Sequence, residues 1–219
     1  MQDIIVFDIE TVQGPTADAV LAQKHYSAPS TYKNPEKIEE YKLNARQKDF
    51  DKAALHWTTG KIISIAACHI GSIESPVSWH GDTELEILRQ FFVWCNRYPG
   101  VPLCGKNSKD FDIPFTIGRA MVYDMGIPMN LKNTRSQYIY DIDNIFGFSS
   151  NAPQTASLNT MAIALGLDTK TAHGSDVQAM YNEATLNNPD KWDEIRTYNV
   201  KDTQITAEIL RRYLKNFPI

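Results

Sequence analysis

Ile4-Ile5-Val6-Phe7-Asp8-Ile9-Glu10-Thr11 is the stretch on which the fold turns. A β-branched and aromatic run of this kind reads as a central strand of a sheet. Side chains two apart on a strand share a face, so Asp8 and Glu10 point one way and Phe7 and Ile9 the other. Two carboxylates about 7 Å apart along one strand repel each other. They either mark a solvated strand end or flank a cation, and the pair alone leaves both open.

Working outward, residues 13–56 are polar and mixed in sign, with Pro15, Pro29 and Pro35 in the first half. From Pro35 to about Lys52 the pattern suits one or two charged helices with few apolar anchors. A structureless connection of that length is unusual in a compact domain. The expectation is therefore an excursion that packs over one end of the sheet, as a lid or as a peripheral helical insertion.

Residues 61–70 read as a second strand and Val77–His80 as a third, paired as an antiparallel hairpin beside the first. A helix follows, with Glu84 and Glu86 in its first turn and Leu85, Leu88, Phe91, Phe92 and Cys95 as its apolar stripe. Next come a short strand at 101–105, a helix from Phe111 to Tyr123 and a strand at 138–142. Ser157 caps a short helix closed by Gly166, and helices follow at 177–186 and from about Trp192 to Lys215. This order predicts an α/β protein with a mixed sheet flanked by helices and the first strand inside. Residues 1–219 are expected to form one domain with an insertion at about 13–56.

The composition, 42% hydrophobic and 22% charged, is that of an ordinary soluble globule. No apolar run is long enough for a membrane span and no basic leader stands at the start, so a cytoplasmic protein is expected. Cys68, Cys95 and Cys104 are odd in number and set among apolar residues, which suits buried thiols in a reducing compartment. The five histidines show no metal-ligand spacing. A net charge of −4 argues mildly against holding long duplex nucleic acid through many phosphates. It leaves room for an enzyme that takes a strand end at a metal-filled cleft.

Other acids fall where such a cleft needs them. Asp112 lies at the start of the 111–123 helix, as a first-turn acid or as a ligand. Tyr198 and Asp202, four apart on the last helix, share a face, as a structural hydrogen bond or as site residues. If the three elements adjoin, Asp8, Glu10, Asp112 and Asp202 cannot all stay ionised without counter-charge. Two oxygen-preferring divalent cations, Mg²⁺ or Mn²⁺, resolve that better than zinc, because no His or Cys joins the set.

Phe7-Asp8-Ile9-Glu10-Thr11, Asn107-Ser108-Lys109-Asp110-Phe111-Asp112 and Tyr198-Asn199-Val200-Lys201-Asp202 resemble, in order, the three motifs of the DEDDy 3′→5′ exonucleases of the DnaQ-like superfamily. The branch they most resemble is similar to the exonuclease domain of family B DNA polymerases. The stretch Lys170–Val177 also resembles the loop before that branch's last helices. The resemblance implies a ribonuclease H-like fold and two-metal hydrolysis of a phosphodiester, releasing nucleoside 5′-monophosphates from a 3′ end. It implies that Asp8 bridges both cations, that Glu10 and Asp202 complete one site and that Asp112 supports the other. Tyr198 would orient the attacking water, and Asn107 would contact substrate or steady its loop.

For the strand end, Thr11 and Val12 are placed to touch the terminal nucleotide. Phe111 and Phe115 serve as stacking groups or as core residues of their helix. Lys106, Lys109, Lys170 and Lys201 are candidates for phosphates or for solvent. DNA with a free single-stranded or frayed 3′ end is the expected partner, with any link to replication or repair running through another protein. A ribonuclease H-like endonuclease and a non-catalytic nucleic-acid-binding module are the alternatives.

Overall fold

A computed structural model of the chain describes residues 3–71, 75–132, 139–146, 156–169 and 174–217. The first strand, β1 (Ile5–Gln13), is longer than its apolar core suggests, because alternation continues through Thr11, Val12 and Gln13. Then come α1 (Ala17–Ala22), α2 (Pro35–Asp51) and a 3-10 turn (Ala53–Leu55) before β2 (Gly60–His69) and β3 (Val77–His80). The chain continues through α3 (Glu84–Cys95), β4 (Leu103–Gly105), α4 (Asp112–Val122), α5 (Met129–Lys132), β5 (Ile139–Asp141) and α6 (Ile142–Phe146). It ends with α7 (Leu158–Ala164), a 3-10 turn (Gly174–Asp176), α8 (Val177–Leu186) and α9 (Asp190–Asn216). Tyr138 and residues 170–173 lie outside the described residues.

Among the described residues the sheet is mixed, with five strands in the order β3-β2-β1-β4-β5. Strand β1 sits in the middle, antiparallel to β2 and parallel to β4. Its two faces feed two cores. Ile5, Phe7 and Ile9 pack with Ile62, Ile65 and the apolar stripes of α3 and α4. Ile4 and Val6 pack with Cys68, Cys104 and apolar residues of α6, α7 and α9. Burial on both faces stabilises each of these large side chains by roughly 1.5–3 kcal/mol, which makes β1 the spine of the molecule. Cys68, Cys95 and Cys104 are free and buried, as their apolar neighbours predicted.

The register of β1 and β2 shifts between Glu10 and Thr11, so that Glu10 faces Ser64 but Thr11 faces Ile62. Ile63 is the extra residue, and a bulge of this kind bends a sheet and sharpens its twist. It falls beside Glu10, at the end of β1 where the acids lie.

Local signals set several helix ends. Asn34 accepts a hydrogen bond from the Glu36 N–H at 2.8 Å and Pro35 takes the first position of α2. Ser157 caps α7 by accepting from the Thr160 N–H at 3.1 Å, and Gly166 follows with φ 63°. Helix α3 departs from expectation in its stripe. Glu84 lies in the first turn as expected and is buried there against Arg119 of α4. Ile87 is buried in the stripe, while Leu85 is half-buried. No described helix is long and apolar enough to cross a membrane.

Candidate active site

Asp8 and Glu10 stand on the face of β1 that meets α9. Alternation alone gives them the side shared by Ile4, Val6 and Val12, and the helix brings Asp202 to it. Ligand oxygens of Asp8, Glu10 and Asp202 lie within 4.8 Å of one another. Glu10 and Asp202 are buried and Asp8 is partly exposed, so the cluster opens to solvent on one side.

Asp112 reaches the same strand from the other flank. The Ile5 N–H donates to the Pro102 carbonyl at 2.8 Å, on the β4 side of β1. Four residues on, the Ile9 N–H points the same way, but β4 has ended at Gly105. The Asp112 carboxylate accepts that orphan N–H at 3.0 Å. The turn that makes this possible is tight. A Cβ on Gly105 would lie 2.5 Å from the Ser108 Cβ, and Asn107 adopts φ 58°. Asp141, at the end of β5, accepts from the backbone N–H groups of Asn107 and Lys109, both at 3.0 Å, and so fixes this loop.

Crowding shows in the electrostatics. Burial first, then the charges of Asp112, Glu10 and Asp202, hold the Asp8 carboxyl well above the usual carboxylate range. Burial also pushes Asp112 up to about 7, against the lowering effect of its backbone hydrogen bonds. Tyr198, one turn before Asp202, hydrogen-bonds to it. Burial and the charges of Glu10, Asp202 and Asp8 raise the phenol far above its ordinary value, so it stays a neutral donor. Three clustered carboxylates with only oxygen donors fit a hard divalent cation, whose charge would offset the repulsion they carry alone.

Sequence reasoning passed over Asn199. It is fully buried on α9; its side-chain amide donates to Asp8 Oδ2 at 2.7 Å, and its side-chain oxygen accepts from Ser64 Oγ at 2.8 Å. This bridge ties α9 and β2 to β1 and fixes the rotation of Asp8. The partners of Asn199 lie 191 and 135 positions away, and no local period reports contacts of that range.

The remaining expected residues divide. Thr11 and Phe111 line a cavity beside Glu10. Asn107 is exposed on its loop. Val12 is fully buried against Ile63, Val177, Ile195 and Tyr198, and Phe115 is buried in the core under Phe111. Both face the interior, where they can shape the site only by packing. Lys106 pairs with Asp143 at 3.0 Å and Lys201 with Asp168 at 3.5 Å. Lys109 is exposed and Lys170 lies outside the described residues.

No family model matches the sequence, and no curated protein matches it. The structure is similar to the family B DNA polymerase from the hyperthermophilic archaeon Pyrobaculum calidifontis, with a TM-score of 0.60 and 16% identity. The match covers 99% of this chain and 25% of that one, so the chain spans a quarter of the polymerase's length. At this identity the likeness is one of fold, and the mixed sheet flanked by helices is consistent with a ribonuclease H-like arrangement.

Proposed function

We propose that this chain is a divalent-metal-dependent 3′→5′ exonuclease of the DEDDy type, with a ribonuclease H-like fold over residues 1–219. It would release nucleoside 5′-monophosphates from a free 3′ end, most readily of DNA. The observation that carries this reading is the meeting of Asp8, Glu10 and Asp202 within 4.8 Å, with Tyr198 hydrogen-bonded to the last of them.

The chain's own groups have separable tasks. Asp8, Glu10 and Asp202 would hold the cation nearest the attacking water, and Asp112 would support a second one from the far edge of β1. Mg²⁺ or Mn²⁺ bound there would supply an acidified water and charge stabilisation for the phosphodiester. Asn199 keeps Asp8 turned toward the cluster. Tyr198 remains protonated and is suited to position a water by hydrogen bonding; it is not suited to take its proton. Phosphodiester cleavage with attack at phosphorus and departure of the 3′ oxygen gives a 5′-phosphate on the released residue, and the phenol requires no change of charge during it.

The test is digestion of 5′-labelled single-stranded, duplex and mismatched DNA and RNA with and without Mg²⁺ or Mn²⁺, with products resolved by length. Stepwise shortening from the 3′ end is expected, abolished by EDTA. Asp8→Asn should lower the rate by on the order of 10²–10⁴-fold, the loss expected when several kcal/mol of charge stabilisation are removed. Cutting of circular single-stranded DNA would favour an endonuclease. Undiminished digestion by Asp8→Asn would refute the assignment.

A further inference from the structure

Strand β3 ends the sheet, and among the described residues nothing pairs with its outer edge. Ile9 lies opposite Ile65, and Ile65 opposite Trp79. Trp79 and Val77 therefore share the face that carries Phe7 and Ile9, away from Asp8 and Glu10. The Gly81 N–H donates to the Ile63 carbonyl at 3.0 Å. Backbone groups alternate in direction along an antiparallel strand, so Val77 and Trp79 also turn theirs toward β2, while Ser78 and His80 turn N–H and C=O groups outward. Such an edge is a template for another chain, but at four residues it is too short to hold one by backbone bonds alone.

Beside that edge a groove of about 520 Å³ runs between β3 and α3. Its floor is aromatic: the Trp94 ring lies 5.8 Å from Trp79 and 5.1 Å from Tyr98, centroid to centroid. Val77 and Val93 on its rims are 44% and 61% exposed, apolar surface placed next to an open strand edge. Its cations are Arg89 and Arg97, both exposed and neither with an ion-pair partner among the described residues. Its one acid, Glu86, already accepts from the Gln90 amide at 2.9 Å. In a chain of net charge −4 the groove is a local positive site.

Spacing and charge together select an occupant. Arg89, Val93 and Arg97 follow one another along one ridge of α3 and its C-terminal end, at about 6 Å per step of four residues. Alternate residues of an extended strand are roughly 6.8 Å apart, so a strand beside β3 presents three successive same-side residues to that ridge in the order acid, apolar, acid. A phosphodiester would meet the arginines, but it offers only acceptors and would leave the outward carbonyls of Ser78 and His80 without donors. A peptide backbone supplies both.

We propose that the β3 edge and the groove beside α3 dock an extended segment of another protein. Its backbone extends the sheet at Ser78 and His80, an apolar side chain enters between Trp79 and Val93, and flanking carboxylates meet Arg89 and Arg97. Main-chain bonds then supply affinity and the alternate side chains supply specificity. This surface goes beyond the exonuclease reading and stands or falls without it, because it lies on the other face of the sheet from the acid cluster.

The experiment uses the whole chain and fluorescein-labelled peptides of the pattern Asp-Thr-Φ-Thr-Asp in Ser-Gly flanks, where Φ is Phe, Leu, Val or Trp, read by anisotropy. Saturable binding is expected, weakened by salt and by about tenfold or more when alternate peptide amides are N-methylated. Arg89→Glu combined with Arg97→Glu should raise Kd by about tenfold or more and shift preference to the matching Lys-Thr-Φ-Thr-Lys peptides. Val93→Asp should also weaken binding. These positions are exposed, so Tm and the digestion of single-stranded DNA with Mn²⁺ should stay parental. Failure of every acidic peptide to bind saturably, or binding indifferent to N-methylation and to the arginine reversal, overturns the inference. An oligo-dT that loses affinity, or a digestion rate that falls, in the arginine variant would assign the groove to nucleic acid and overturn it equally. Sedimentation showing self-association that Val93→Asp abolishes would give the edge to a second copy of the chain instead. None of these results bears on whether Asp8 and its neighbours cleave DNA, so the two readings fail separately.

Discussion

Asn199 donates to Asp8 Oδ2 at 2.7 Å while Ser64 Oγ donates to the other end of the same amide at 2.8 Å. A carboxylate crowded by three like charges would otherwise turn away from them, and the hydrogen bond also favours its ionised form. Groups that orient a ligand from behind typically account for 10- to 100-fold in metal affinity or activity. Asn199→Ala should therefore weaken Mn²⁺ binding and slow turnover by about 10- to 100-fold. Asn199→Asp, which removes the donor and adds a negative charge, should do more damage. Mn²⁺ titration by electron paramagnetic resonance checks both, and an Asn199→Ala protein with parental affinity and rate would remove Asn199 from the site.

How much of this site was legible depended on the sequence distance between partners. Asp8 and Glu10 are two apart and Tyr198 and Asp202 four apart, so strand and helix periods alone put each pair on one face. Asn199 has partners on β1 and β2, and no local period reports contacts of that range. Val12 illustrates a different failure. Alternation of side chains was read only as far as Glu10, yet β1 continues to Gln13, and carried two residues further it puts Val12 on the buried face with Tyr198. The pattern of residues 13–56 disclosed one or two charged helices from Pro35 to about Lys52, but not that Thr11 and Thr59 pin the turn at 53–55 over the cavity.

Metal and pH should act on stability in opposite directions. Asp112 is pushed up to about 7 in the folded chain, above the value near 3.9 expected when unfolded. The folded state thus holds that proton more tightly. The associated stability is complete below pH ~4 and is lost as pH rises toward 7. Without divalent cations, Tm relative to Asp112→Asn, which keeps an acceptor for the Ile9 N–H, should fall over that interval. Mn²⁺ should reverse the loss near pH 7–8, where carboxylates are free to bind it; at a hundred times its Kd it adds about 2.7 kcal/mol. EDTA should restore the lower Tm. Calorimetry across pH 4–8 tests this, and a parent-minus-variant difference that stays flat would contradict it.

Glu84 and Arg119 offer a stability test away from the acids. The Glu84 carboxylate accepts from Arg119 Nη2 at 2.7 Å, the Ile62 N–H at 2.6 Å and the Tyr123 hydroxyl at 2.9 Å, and both side chains of the pair are almost wholly buried. An acid at the start of a helix is ordinarily read as solvated, because nothing nearby in sequence announces a cation 35 residues on. Breaking one side of such a pair leaves a buried charge, so Glu84→Ala should cost about 3–5 kcal/mol. Glu84→Leu combined with Arg119→Met should recover part of the loss, leaving the Ile62 N–H unsatisfied. A double-mutant cycle in urea gives the coupling directly, and additive losses would show that the pair acts independently.

Asp141 should matter for turnover more than its distance from β1 suggests. Its Oδ1 accepts from the N–H groups of Asn107 and Asp143 at 3.0 and 2.9 Å, and its Oδ2 from Lys109 at 3.0 Å. These bonds hold a loop that contains a left-handed residue and delivers Asp112 to the Ile9 N–H. Asp141→Ala would orphan three donors, with a stability loss of about 1–3 kcal/mol per group left buried and unsatisfied. The loosened loop should also misplace Asp112, lowering kcat at saturating Mn²⁺ by about tenfold or more. Asp141→Asn retains an acceptor oxygen and should fall between. A loop held only for stability would lower Tm while leaving kcat on the remaining folded protein unchanged, and that outcome would separate Asp141 from the role proposed for Asp112.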